Sequence, residues 1–272
     1  MILWIASYPK SGNTWVRALI STYLYSKDEK FSFDLLRNIP KFIQEKYISN
    51  LIDLKELKKE PLKISEYWKD AQSRINLNNK INFLKTHNAC VSYKGKWFTD
   101  ETNTIGYIYI VRDPRAIACS LTSHSEISQE KAVDELLNEN HIGYNGPNKL
   151  AEIPGSWKIN YLSWSKKKKF NGIVIKFEDL IDNPEKEFKK ILIFLSNIIP
   201  VAIDKKKIEK TISFCKFSNL EKMENLYGFE EAQKNKFFRK GKKDSWKHEL
   251  ISDFRKKIEE NFQNEMKDLG YL

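Results

Sequence analysis

Four stretches of the chain are apolar on nearly every position: 2–7 (ILWIAS), 81–86 (INFLKT), 104–111 (TIGYIYIV) and 172–177 (GIVIKF). Each is short, rich in β-branched or aromatic residues and bounded by polar ones, which predicts strands. Continuous rather than alternating apolarity predicts strands covered on both faces, as in a parallel sheet. Between them the apolar period changes to that of a helix. Trp15, Val16, Leu19, Ile20 and Tyr23 line a central helix over 14–24. Phe188, Ile191, Leu192 and Leu195 mark another, and Leu250, Phe254, Ile258, Phe262 and Met266 predict one long closing helix over 248–269. Asp113-Pro114 and Asn183-Pro184 place a capping residue before Pro at the first helical position. Strands alternating with helices give an α/β fold, a single domain over 1–272 with a central, mostly parallel β-sheet flanked by helices.

Two regions depart from this alternation. Residues 27–80 read as charged helices forming a cap over the sheet. Residues 225–246 carry few apolar side chains besides Phe229, Phe237 and Phe238, and read as a long active-site loop. The run Lys166–Lys169 ends a helical pattern, where cations complement the dipole.

Composition narrows the function. The 47 Lys and Arg against 36 Asp and Glu leave a formal charge of +11. That sign favours an anionic partner, although a lysine-rich solvated surface explains most of it. Cys90, Cys119 and Cys215 show no CxxC spacing, and His87, His124, His141 and His248 show no zinc-binding pattern, so no metal site is expected. No apolar run reaches the ~20 residues of a spanning helix. A reducing, cytoplasmic location is therefore expected.

Four sites carry chemistry. The first is Ser7-Tyr8-Pro9-Lys10-Ser11-Gly12-Asn13-Thr14-Trp15, between a buried strand and an apolar helix. Such a turn presents backbone N–H groups at a helix N-terminus, where the dipole favours anions. Lys10 adds positive charge, Ser11, Asn13 and Thr14 add short donors, and Gly12 admits close backbone approach. The arrangement suits phosphate, and equally suits an ordinary strand–helix turn. The second is Arg112, at a strand-to-helix junction, with Ser120 eight residues on. An Arg fork matches phosphate oxygens, or pairs with a capping acid. The third is Arg239-Lys240-Gly241, a bare basic cluster. The fourth is Lys85-Thr86-His87, which ends a strand at the edge where α/β folds bind ligands. His is the natural general base near neutrality.

Taken in order, these motifs resemble those of the cytosolic-type sulfotransferases, which use 3′-phosphoadenosine 5′-phosphosulfate (PAPS). The resemblance runs from residue 2 to about 247 and is weakest over 27–80. It implies a P-loop-like sulfotransferase fold. It implies that Lys10, Ser11, Gly12, Asn13 and Thr14 hold the phosphosulfate, with Asn13 standing where many members have Ser or Thr. Trp15 and Phe177 are expected at the adenine, Phe177 replacing a common Tyr, and Cys215 loosely matches an adenine-contacting Thr. Arg112, Ser120, Arg239, Lys240 and Gly241 are expected on the 3′-phosphate. His87, Lys10 and Lys85 form the implied catalytic set, with His87 as base and no metal. Gly155-Ser156-Trp157 is a supporting match. The expected partner is a small-molecule, glycan or lipid acceptor, not nucleic acid, with a homodimer open. Two alternatives stand beside this. A nucleotide kinase needs a Lys after the glycine and a Ser or Thr for Mg²⁺, and neither is in place. A non-enzymatic polyanion-binding module needs basic residues clustered on one face, and here they are spread along the chain.

Overall fold

In a computed structural model, the described residues are 1–145, 150–166, 169–232, 236–238, 241 and 243–272. The strands are β1 (Ile2–Ser7), β2 (Asn82–Thr86), β3 (Ser92–Tyr93), β4 (Lys96–Trp97), β5 (Thr104–Val111), β6 (Gly143–Asn145), β7 (Leu150–Glu152) and β8 (Gly172–Lys176). The central sheet has the order β2-β1-β5-β8, and β1 pairs in parallel with both β2 and β5. β1 is buried along its whole length, as its unbroken apolarity requires. β8, at the edge of the sheet, departs from that expectation: Gly172 and Val174 are exposed. It also ends one residue early, at Lys176, and Phe177 opens the next helix.

Packing divides the chain into two compact units. The first comprises 1–9, 39–110 and 139–174. Its core is built around Trp4, whose indole N–H donates to Thr104 Oγ1 at 2.8 Å and whose ring lies 5.1 Å from Phe98 and 5.4 Å from Phe42. A buried polar chain continues from Thr104 to Thr99, Gln72 and the carbonyl of Phe98. Every buried hydroxyl and amide in it finds a partner, so the desolvation cost is met internally. The aromatic residues of this region divide: Trp68 and Phe98 are core, whereas Trp97 is exposed.

The second unit comprises 10–38, 111–138 and 175–272. Its central helix, Asn13–Tyr25, is buried on most of its surface. Asp113 caps the helix Pro114–Ser125 by accepting from the N–H of Arg115, as expected. Asn183 precedes the helix Pro184–Ser196, but its side chain makes no capping bond. The closing helix is not continuous: it divides into Trp246–Glu249, Ser252–Asn261 and Gln263–Asp268. Gln129 supplies one cause. Its side-chain amide donates to the carbonyl of Glu249 and accepts from the N–H of Ile251, which fixes Leu250 and Ile251 in extended backbone. The long loop is shorter than its sequence suggests, because the helix Phe217–Tyr227 takes its first three residues.

Helices do fill 27–80, in five short segments: Phe33–Asn38, Glu45–Ile48, Leu54–Lys59, Pro61–Tyr67 and Trp68–Asn76. Among the described residues no helix is long and apolar enough to cross a membrane.

Candidate active site

The turn after β1 is held by backbone conformation. Lys10 has φ +65° and Gly12 φ +93°, both left-handed. Lys is rarely found there, and such outliers concentrate where function over-determines the backbone. Gly12 is required twice over, since a Cβ would also lie 2.3 Å from Cδ2 of the Phe177 ring. Gly12 caps the helix Asn13–Tyr25, and the first N–H groups of any helix lack intrahelical acceptors. Ser11 is 1 % exposed, and its Oγ has no hydrogen-bond partner among the described residues. An orphaned buried hydroxyl beside a helix N-terminus fits an anionic oxygen as its partner.

Arg112 follows β5, and its Nη1 donates to the carbonyl of Lys10 at 2.9 Å. Its guanidinium carbon sits 4.5 Å from the centre of the Phe177 ring. Burial holds its pKa below the usual Arg value, against the opposing pull of Glu178 and Asp113. The capping acid Asp113 is taken instead by Arg115, which grips it through Nε and Nη2, the latter at 2.7 Å. Asp113 thus binds Arg115 directly while also acting electrostatically on Arg112.

Phe177 also meets Trp15 edge-on at 5.9 Å, and the Trp15 indole N–H donates to the carbonyl of Cys215 at 2.8 Å. Lys10, Gly12, Trp15, Arg112, Phe177 and Cys215 thus form one connected set. The contribution of Cys215 is its carbonyl, for its thiol is buried against Thr22 Oγ1 at 3.4 Å. Burial pushes that thiol up to about 12. Ser120 lies partly exposed in the helix Pro114–Ser125. Gly241 has φ +56° and backs onto the Phe217 ring, while Arg239 and Lys240 lie outside the described residues.

The first unit carries the candidate base. Register pairs Ala6 with Thr86, so the next residues, Ser7 and His87, leave β1 and β2 side by side. His87 Nδ1 is 2.8 Å from the Ser7 carbonyl oxygen and 3.2 Å from Ser7 Oγ. A carbonyl only accepts, so Nδ1 carries the proton and the lone pair of the neutral ring lies on Nε2. Burial and the adjacent Lys85 lower the His87 pKa to about 3, and Glu152 opposes them. The ring is neutral at physiological pH, the form a general base needs.

Several residues around His87 give no local sequence signal. Pro40 and Phe42 bond to the backbone of Lys85 at 2.8 Å each, which places Lys41 opposite Lys85. Lys41 Nζ pairs with buried Glu152 at 3.0 Å. Burial pushes the Glu152 carboxyl upward, but Lys41, His87 and Lys85 outweigh it and hold it below the usual range. Asn160 donates to the carbonyls of His87 at 3.0 Å and Pro154 at 2.8 Å, and accepts from Tyr109 at 2.8 Å. Asn160 lies on the helix Trp157–Ser165, which Ser156 caps by accepting from the N–H of Ile159. The Gly155-Ser156-Trp157 motif therefore sets the helix that holds His87.

A family model described as a sulfotransferase domain matches residues 2–270. The chain is 27 % identical to a flavonol 3-sulfotransferase of Flaveria bidentis, over 99 % of this chain and 83 % of that protein. It is 26 % identical to sulfotransferase 1B1 of Canis lupus familiaris, over 96 % and 82 %. Among solved structures, mouse sulfotransferase SULT7A1 complexed with PAP aligns with a TM-score of 0.63 at 18 % identity, covering 99 % of this chain and 86 % of that one. Retinol dehydratase in a complex with retinol and PAP aligns with a TM-score of 0.65 at 18 % identity, covering 98 % and 81 %.

Proposed function

Because the chain belongs to the sulfotransferase family, we propose that it transfers a sulfuryl group from PAPS to a hydroxyl or amine of a small-molecule acceptor, with His87 as general base. The donor side of this reading rests above all on Arg112. It is held at the donor turn by the Lys10 carbonyl and the Phe177 ring. A guanidinium fixed in this way offers its fork to a phosphate, the group that distinguishes PAPS from an adenosine 5′-phosphosulfate lacking it. A relative solved with PAP and a family match over nearly the whole chain support the same donor. The kinase and polyanion-binding alternatives give way to family membership.

In this mechanism Nε2 of His87 accepts the proton of the acceptor as its oxygen or nitrogen bonds to sulfur. The bond from sulfur to the bridging phosphate oxygen breaks, and that oxygen leaves carrying the electron pair. The Lys10 ammonium, with Lys85, offsets the charge that gathers on the leaving phosphate. The Ser11 and Thr14 hydroxyls and the first N–H groups of the helix Asn13–Tyr25 orient the transferring group. This is catalysis by positioning and fixed electrostatics. Its test is transfer of radiolabelled sulfate from PAPS to a panel of phenols, alcohols and amines. Transfer that is lost in His87→Ala, with binding of the product nucleotide 3′,5′-adenosine bisphosphate retained, supports the assignment. Undiminished transfer by that variant contradicts it.

A further inference from the structure

The described parts of the segment 229–238, residues 229–232 and 236–238, reach the donor turn through side chains that no motif in the sequence announces. Thr14 Oγ1 donates to Glu231 Oε2 at 3.3 Å, and Arg17 Nη1 meets Glu231 Oε1 at 2.5 Å. Thr14 and Arg17 are three residues apart on one helix and so share a face. Arg17 is 3 % exposed, and its other arm donates to the carbonyl of Leu36 at 3.2 Å. The fork is therefore fixed in direction, and its outward nitrogen and the Thr14 hydroxyl converge on one carboxylate. Lys10, the other cationic group of the turn, lies 4.4 Å over the ring of Phe237 from the same segment. The segment is fastened beside these contacts. Phe229 stacks on Phe33 at 4.6 Å, Arg37 bonds Glu230 at 3.0 Å, and Glu224 accepts from the N–H groups of Phe237 and Phe238.

We infer that Thr14 and Arg17 form an anion site belonging to the donor cradle, and that the Glu231 carboxylate competes for it with the phosphosulfate end of the donor. The inference rests on the donor assignment proposed above. A carboxylate and a phosphate or sulfuryl group present the same feature to these donors, negatively charged oxygens at hydrogen-bonding distance. Two such anions cannot share one site, since like charges this close repel and one must leave. Binding the donor therefore requires Glu231 to withdraw, which frees the Arg17 fork to hold the incoming anion. The strap is then a built-in brake on donor binding, and Arg17 is a donor-binding residue beyond those that the motifs mark. A purely structural Glu231 behaves in the opposite sense, because removing it leaves the Arg17 charge buried without that partner.

The two are separated by titrating 3′,5′-adenosine bisphosphate into the whole protein and its variants by calorimetry. Glu231→Gln keeps the size and removes the charge, and its dissociation constant is expected to fall by at least about threefold, since the competent state is no longer a fraction of the total. Arg17→Met raises the constant about tenfold, the loss of one charge-assisted contact. In the double variant Glu231→Gln confers no tightening. Phe229→Ala, which loosens the strap without touching a charge, speeds association in stopped-flow mixing and covers the case in which Glu231→Gln folds poorly. Weaker or unchanged binding by Glu231→Gln, together with unchanged association by Phe229→Ala, overturns the inference while leaving the donor assignment intact. No binding of the bisphosphate by the unaltered protein removes the donor assignment and this inference with it.

Discussion

Nδ1 of His87 donates to the backbone carbonyl of Ser7 across 2.8 Å. The bond fixes the tautomer, and burial with Lys85 nearby keeps the ring neutral down to about pH 3, against an ordinary value of 6.5. A linkage effect follows. Between those values the unfolded chain binds the proton and the folded one does not, so stability falls as pH drops from 6.5 toward 3. His87→Gln is expected to flatten that part of a urea-denaturation series taken against pH. The same variant loses turnover and keeps its affinity for the bisphosphate within about twofold, since Gln keeps the bulk but has no proton-accepting nitrogen. A turnover profile whose acid limb sits near 6.5 contradicts a base of this kind.

The buried Asn160 side chain makes three hydrogen bonds, one of them to the carbonyl of His87. Asn160→Ala leaves buried polar groups unpaired, at about 1–3 kcal/mol of stability each at most. Because the anchor acts on the strand end that carries the base, kcat should drop while the dissociation constant of the bisphosphate stays put. A change confined to nucleotide affinity would place Asn160 elsewhere in the chemistry.

Arg112→Lys keeps the charge but loses the fork and the flat contact with Phe177. The affinity for 3′,5′-adenosine bisphosphate is expected to fall by roughly 10-fold to 100-fold, the worth of one to two charge-assisted bonds. The affinity for AMP, which lacks the 3′-phosphate, should change far less. Equal losses for both nucleotides would place Arg112 on another part of the donor.

Gly12→Ala combines a left-handed backbone with a Cβ 2.3 Å from the Phe177 ring. Strain of about 1–3 kcal/mol is expected from the backbone alone. Thermal unfolding should show the loss, and donor binding should weaken through displacement of Phe177. Pairing it with Phe177→Ala, which removes the obstructing ring, should recover part of the stability.

Much of this frame is legible in the residues themselves. β1 and β5 are found where their unbroken apolarity puts them, and the helix after Asp113-Pro114 starts where a capped Pro must start it. These features are local, fixed by a residue and its near neighbours. What the sequence withholds is made by contacts between distant residues. Gln129 divides the closing helix from more than a hundred positions away, overriding a good helical period. Lys41 meets Glu152, Asn160 reaches the carbonyl of His87, and Glu231 meets Arg17 and Thr14, each pair far apart in the chain. Lone Lys, Asn and Glu residues carry no spacing signal, so only the fold reveals them.

Calorimetric titration with 3′,5′-adenosine bisphosphate beside AMP and ATP shows whether this protein uses a donor marked by a 3′-phosphate. The bisphosphate is expected to bind at least about tenfold tighter than either, the worth of one charge-assisted phosphate contact or more, with most of that preference lost in Arg112→Lys. Equal or tighter binding of ATP, or a preference untouched by Arg112→Lys, would contradict such a donor.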